Sequence, residues 1–120
     1  MVPSAEMVKF SKTGSGSATG AVRGARAFTK KDKIAYCGSG GVWHDWYAAI
    51  ISRNQGVPEF NKDLILPFDY NDYEGLEYIF QQNKDEIACV FMEPTIFDKP
   101  QNDFLNKVKK ITRQNNAVLK

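Results

Sequence analysis

Six consecutive apolar residues, Ile87-Ala88-Cys89-Val90-Phe91-Met92, constrain most strongly what this chain can fold into. A strand with no polar side must be covered on both faces, the setting of a parallel strand between layers of helices. Three shorter runs read the same way. Lys33-Ile34-Ala35-Tyr36-Cys37 stops abruptly at Gly38, and Leu64-Ile65-Leu66 enters Pro67 and the turn-rich Phe68-Asp69-Tyr70-Asn71-Asp72. Ala117-Val118-Leu119 reads as the first half of a fourth strand. Pro67 puts its strand near a sheet edge, because proline has no N–H to give to a ladder.

The segments between these runs have helical periodicity. From Ser17 to Phe28 the residues are small, with Val22, Ala25 and Phe28, or Ala18, Ala21 and Ala25, along one side. Gly20 and Gly24 each cost about 1 kcal/mol of helix propensity relative to alanine, a cost that makes sense if this helix packs closely on a neighbour. Trp43, Trp46, Tyr47, Ile50 and Ile51 form a helical stripe over 43–52. Leu76, Ile79 and Phe80 predict a helix over 73–83, and Phe104, Leu105, Val108 and Ile111 predict one over 102–114. Helix and strand alternate throughout, so the predicted class is α/β: an open, mainly parallel four-stranded sheet with helices on both faces. At 120 residues the chain reads as a single domain, 1–120.

Composition excludes several functions. Sixteen Lys and Arg against fourteen Asp and Glu give a net charge of +2, too balanced for nucleic acid or an anionic membrane as the main partner. No apolar run approaches the roughly 18 residues of a membrane span, and Met1 to Phe10 holds no apolar core of a secretory signal. With two cysteines and one histidine, no cluster offers four zinc ligands at short spacing. Cys37 and Cys89 lie in apolar runs, so they read as buried reduced thiols of a cytoplasmic protein. A disulfide between them requires the two runs to be neighbours.

Thr13-Gly14-Ser15-Gly16-Ser17 stands directly before the small-residue helix. Glycines let a ligand approach the backbone, hydroxyls donate, and a helix N-terminus offers unpaired N–H groups, a combination suited to phosphate. Gly/Ser stretches are also ordinary loops; this one has neither the Gly-Lys-Ser/Thr of a Walker loop nor a dinucleotide fingerprint at a strand end. His44-Asp45 is no catalytic dyad by spacing, since adjacent helical residues point about 100° apart; capping or polar roles at the start of the aromatic helix suit them better. Glu93, followed by Pro94, closes the buried strand at its C-terminal end, where α/β folds place ligands. Asp69, Asp72 and Glu74 read as a solvated turn, and Lys107, Lys109, Lys110 and Arg113 as the wet face of the last helix.

These residues carry a family resemblance. Thr13-Gly14-Ser15, the pair Ala18-Thr19, Ala21-Val22-Arg23-Gly24-Ala25-Arg26-Ala27-Phe28-Thr29, Asp32-Lys33-Ile34, Cys37-Gly38 and Trp43-His44-Asp45-Trp46-Tyr47 resemble the cofactor-domain entry of class III pyridoxal-phosphate-dependent aminotransferases, in the glutamate-1-semialdehyde aminomutase-like branch. Phe68 to Asp72 and Phe91-Met92-Glu93-Pro94 also fit, so the resemblance covers nearly the whole chain. It implies the strand order 64–67, 33–37, 87–92, 117–119 within part of the large domain of the fold. It implies that Thr13, Gly14, Ser15 and Gly16 hold the cofactor phosphate, with Ser39 and Glu93 at the cofactor as well. Two departures fall on cofactor-facing loops. Gly16-Ser17 stands where the family has an acidic residue before Ala-Thr, and Ser39-Gly40-Gly41-Val42 replaces Tyr-His-Gly, so Ser39 occupies the place of the ring-stacking aromatic.

In the family, the Schiff-base lysine and the aspartate that holds the pyridinium nitrogen come later in the chain than Lys120. The expected function is therefore that of part of an aminotransferase or aminomutase acting on a small amino or keto acid, with pyridoxal phosphate as the family cofactor and no catalytic residue within 1–120. The alternative is a non-catalytic α/β domain, engineered or decayed, that keeps the sheet without the cofactor site. Family members are dimers, and the stripe of Trp43, Trp46 and Tyr47 is expected to promote self-association.

Overall fold

A computed structural model describes residues 6–38, 42–95 and 98–120. The elements run α1 Gly14–Thr29, β1 Lys33–Cys37, α2 Asp45–Ala48, a 3-10 helix Glu59–Leu64, β2 Ile65–Pro67, α3 Tyr73–Gln82, β3 Ile87–Met92, α4 Phe104–Gln114 and β4 Val118–Leu119. The four strands form one sheet in the order β2-β1-β3-β4, every pair parallel. The predicted class and strand order both hold.

The sheet is two-faced because the side chains alternate. Ile34 and Tyr36 of β1 and Cys89 of β3 pack with Val22 and Ala25 of α1 and Trp46 and Tyr47 of α2. Ala35 and Cys37, with Val90 and Met92, pack with Leu76 and Phe80 of α3 and Phe104, Val108 and Ile111 of α4. Lys33 is registered with Ile87 but Ile34 with Cys89, so Ala88 is an extra residue. That bulge shifts the alternation and sends Ile87 to the α3/α4 side. Each fully buried Val, Ile or Leu contributes about 1.5–3 kcal/mol relative to exposure; Ile34, Leu76, Val90 and Val108 are such residues.

The two thiols illustrate the alternation. Their strands are neighbours, as a disulfide would need, but Cys37 is registered with Met92 and Cys89 with Ile34. Cys37 belongs to the α3/α4 core and Cys89 to the α1/α2 core. Both are free and buried.

Several boundaries differ from the sequence-based expectation. Helix α1 starts at Gly14 rather than Ser17, so the glycine-serine stretch is its first turn. Its buried side is Val22 and Ala25 with Ala18 packed against them, while Phe28 is 82% exposed. Gly20 and Gly24 do not serve close packing: a Cβ on either would meet nothing within 4 Å. The helix expected over 43–52 is α-helical only at Asp45–Ala48. Beyond it, Ile50 N–H donates to the Tyr47 carbonyl and Ile51 N–H to that of Ala48, the tighter i→i+3 pattern. Ile50 and Ile51 still pack on the α1/α2 core, so the apolar stripe is buried without a long helix. Helix α3 ends at Gln82, α4 starts at Phe104, and Leu64 closes the 3-10 helix, whose polar sequence gave no periodic signal.

Candidate functional site

Helix α1 begins at an N-cap. Thr13 has extended backbone, and its Oγ1 accepts the Gly16 N–H at 3.0 Å while its carbonyl accepts that of Ser17 at 3.0 Å. The interior of this cap is tight: a Cβ on Gly16 would lie 2.5 Å from Ser11 Oγ and 3.3 Å from Thr13 Oγ1, so a larger residue would displace those hydroxyls. Two of the N–H groups expected to face an anion, those of Gly16 and Ser17, are thus already engaged within the turn. Those of Gly14 and Ser15 make no intrahelical bond, because the first N–H groups of any helix have no carbonyl behind them. Gly14 is open as well, with nothing within 4 Å of a Cβ position. The arrangement has donors and the positive end of a 16-residue helix, what an oxyanion needs.

Two polar rungs fasten this end of α1 to the segment that follows β1. Ser15 Oγ accepts the Trp43 backbone N–H at 3.1 Å. One helical turn on, Thr19 Oγ1 accepts the Trp46 indole Nε1–H at 2.8 Å and lies 2.6 Å from His44 Nδ1. Behind the rungs, Trp46 and Tyr47 meet Tyr36 and Phe91 of the sheet in edge-to-face contacts with centroids 5.0–6.4 Å apart. His44 is the N-cap of α2 but makes no side-chain cap bond; its polar role is to meet Thr19.

Glu93 follows β3 directly, and its N–H donates to the Cys37 carbonyl at 3.2 Å, so it lies at the C-terminal end of the two central strands. Beside it Gly38 accommodates two side chains: a Cβ there would come within 2.7 Å of Tyr36 Oη and 3.2 Å of Glu93 Oε1. Tyr70 Oη holds the following Pro94 carbonyl at 2.7 Å. Burial pushes the Cys37 thiol up to about 11, with the Asp69 and Glu93 carboxylates adding to the effect, so it is a protonated, unreactive neighbour.

The predicted residues therefore fall into two groups. Thr13, Gly14, Ser15 and Gly16 form the first turn of α1, and Glu93 lies at the end of β3 beside Gly38. Ser39 lies outside the described residues. Asp72 caps α3 by accepting the Gly75 N–H, while Asp69 and Glu74 are exposed, as a solvated turn requires. The residues that sequence reasoning missed are Thr19, Trp46, Tyr36 and Gly38. The signal for Thr19 was its spacing: it follows Ser15 by four positions, so both lie on one side of the helix.

The sequence is 30% identical over 135 aligned residues to the glutamate-1-semialdehyde 2,1-aminomutase of Methanococcoides burtonii, covering 99% of this chain and 32% of that protein. It is 34% identical to the 3-aminobutyryl-CoA aminotransferase of Cloacimonas acidaminovorans, covering 99% of this chain and 29% of that one. An omega-transaminase from Sphaerobacter thermophilus superimposes with a TM-score of 0.85 at 25% identity, over 98% of this chain and 32% of its own. The chain matches part of the class III aminotransferases. A second similar structure, a transaminase with pyridoxal phosphate bound, gives a TM-score of 0.84 at 25% identity, over 95% of this chain and 30% of its own. No protein-family model matches the sequence. The chain spans about a third of the length of the relatives it matches. Its sheet and both helix layers correspond to part of the pyridoxal-phosphate-dependent fold. Among the described residues, no helix is long and apolar enough to cross a membrane, and no group of three or more His, Cys, Asp or Glu could hold a metal ion.

Proposed function

We propose that residues 1–120 form one α/β domain that supplies the phosphate end of a pyridoxal phosphate site, as part of the large domain of an enzyme moving an amino group on a small amino or keto acid. The observation that carries this reading is the first turn of α1. Thr13 caps it, Gly14 is open to solvent, and Ser15 fastens it to the segment after the central strand. The match to part of a pyridoxal-phosphate-dependent family supports the choice of anion. In this reading the phosphate takes the Gly14 N–H and the Thr13 hydroxyl, whose oxygen also accepts from Gly16. Gly16 keeps the cap compact, and Ser39 and Glu93 attend the ring end. Pyridoxal phosphate, when bound, supplies the electron sink on which amino-group transfer depends. The chain's own residues bind and orient it, and the covalent lysine and pyridinium partner come from elsewhere in the enzyme. The reduced state of two buried thiols suits a cytoplasmic enzyme. Of the aromatic stripe expected to promote association, Trp46 and Tyr47 are buried against the sheet and only Trp43 is exposed; with Phe10 and Phe28 it supplies the apolar surface for association with a second copy.

The test is to titrate pyridoxal phosphate into the chain while following the backbone amide shifts of residues 13–17, and to repeat the titration with inorganic phosphate present. Saturable movement at those residues that inorganic phosphate competes away is the expected result. Movement scattered around surface lysines and indifferent to phosphate contradicts the reading and favours a domain that has kept the sheet without the site.

A further inference from the structure

We infer that Thr19 is a positioning residue for the phosphate turn: its hydroxyl latches segment 43–46 to α1 and thereby holds Ser15 in place. The inference rests on the reading of that turn as the phosphate site. It starts from the Thr19 hydroxyl. The other two structurally bonded threonines of the helices, Thr29 and Thr112, donate to the carbonyl four residues earlier, at 2.8 and 2.7 Å. Thr19 has no such bond; its oxygen takes the Trp46 indole N–H, and its remaining polar partner is His44 Nδ1 at 2.6 Å. An indole can only donate, so the Thr19 oxygen accepts from Trp46, and the same hydroxyl shares a second hydrogen bond with His44 Nδ1.

Segment 43–46 needs such a latch. Helix α2 has four residues, too few to persist without tertiary support, and no side-chain bond caps it. What aligns it with α1 is the pair of rungs one turn apart, Ser15 with Trp43 and Thr19 with Trp46 and His44. Loss of the second rung lets the segment rotate on its aromatic contacts. The Trp43 N–H then leaves Ser15 Oγ, and Ser15 loses the bond that fixes its place in the turn. The basic and acidic groups of α1 play no part in this, since none of them enters either rung.

The experiment compares T19V and T29V, which remove one hydroxyl each from the same helix, with T19S as the conservative variant. Inorganic phosphate is titrated while amide shifts of residues 13–17 are followed, and amide exchange of Trp43 is measured without phosphate. T19V is expected to weaken phosphate binding roughly three- to tenfold, the scale of one net hydrogen bond, and to speed Trp43 exchange. T19S is expected to restore both, and T29V to change neither. The ¹⁵N shift of His44 Nδ1 should move in T19V and return in T19S. Unchanged phosphate affinity in T19V, or loss of affinity in T29V of equal size, overturns the positioning role. If the parent chain shows no response to phosphate, the reading of the turn fails by itself. The latch is then decided by Trp43 exchange, faster in T19V upholding it and unchanged overturning it.

Discussion

The two faces of the sheet are covered by different means. On one, α3 and α4 press an aliphatic and phenyl surface onto Ala35, Val90 and Met92, and Leu76, Val108 and Phe104 are almost wholly removed from water. On the other, α1 contributes only Val22 and Ala25 to the buried core, and Trp46, Tyr47, the partly buried Ile50 and Ile51 and two hydrogen-bonded rungs make up most of the remaining cover. That second face also leaves Phe28 and Trp43 in solvent. A well-filled face resists displacement in every direction. A face held by small residues and directed polar bonds fixes position at a few points, and those points lie beside the turn that opens α1. The contrast separates stability, carried mostly by α3 and α4, from placement of the site, carried by α1 and segment 43–46.

The largest effect that tests this division is a cavity on the α3/α4 face, set against removal of an exposed ring on the other. Phe104→Ala should destabilise the chain by about 3–5 kcal/mol in urea unfolding, whereas Phe28→Ala should stay within about 0.5 kcal/mol. Equal losses would erase the distinction. Alkaline titration sharpens it less strongly, because each face holds one thiol. Burial raises both Cys37 and Cys89 from 9.0 to about 11, for Cys89 against the lowering influence of Arg26 and Lys120. An unfolded thiol ionises first, so the native state holds more protons between these values and stability must fall as pH rises from about 9. The fall should flatten above about 11, and substituting either cysteine with alanine should reduce its slope. A pH-independent melting temperature over that window would contradict burial of both thiols.

The smallest expected effect concerns α1 itself. Gly20→Ala and Gly24→Ala add a Cβ into open space and should each stabilise by about 0.4–1 kcal/mol, read as a raised melting temperature. Destabilisation would mean that α1 packs more closely than its surroundings indicate.

The sequence made the strands legible because burial on two faces leaves an unbroken apolar run, as in Ile87 to Met92, and because Gly38 and Pro67 mark where runs stop. It drew attention to Thr13 to Ser17 through the glycines and hydroxyls, but started the helix at Ser17, so the cap at Thr13 is visible only in the structure. Periodicity misread Trp43 to Ser52, because a short helix followed by i→i+3 turns buries Ile50 and Ile51 much as a long helix would. It misplaced Phe28 because one helix offers two candidate apolar sides and only the sheet chooses between them. The role of Thr19 needed the fold: its partners lie 25 and 27 residues away and meet it only because β1 returns the chain beside α1.

The central claim is that the first turn of α1 is an anion site. Titrating inorganic phosphate into the chain, with backbone amide shifts recorded at each step, tests it most directly. Without a covalent lysine or a stacking aromatic, affinity should be about millimolar, roughly 4 kcal/mol. The account predicts saturable movement confined to residues 13–18. Silence at those residues, or equal movement along Lys107 to Arg113 where phosphate would merely meet surface charge, contradicts it.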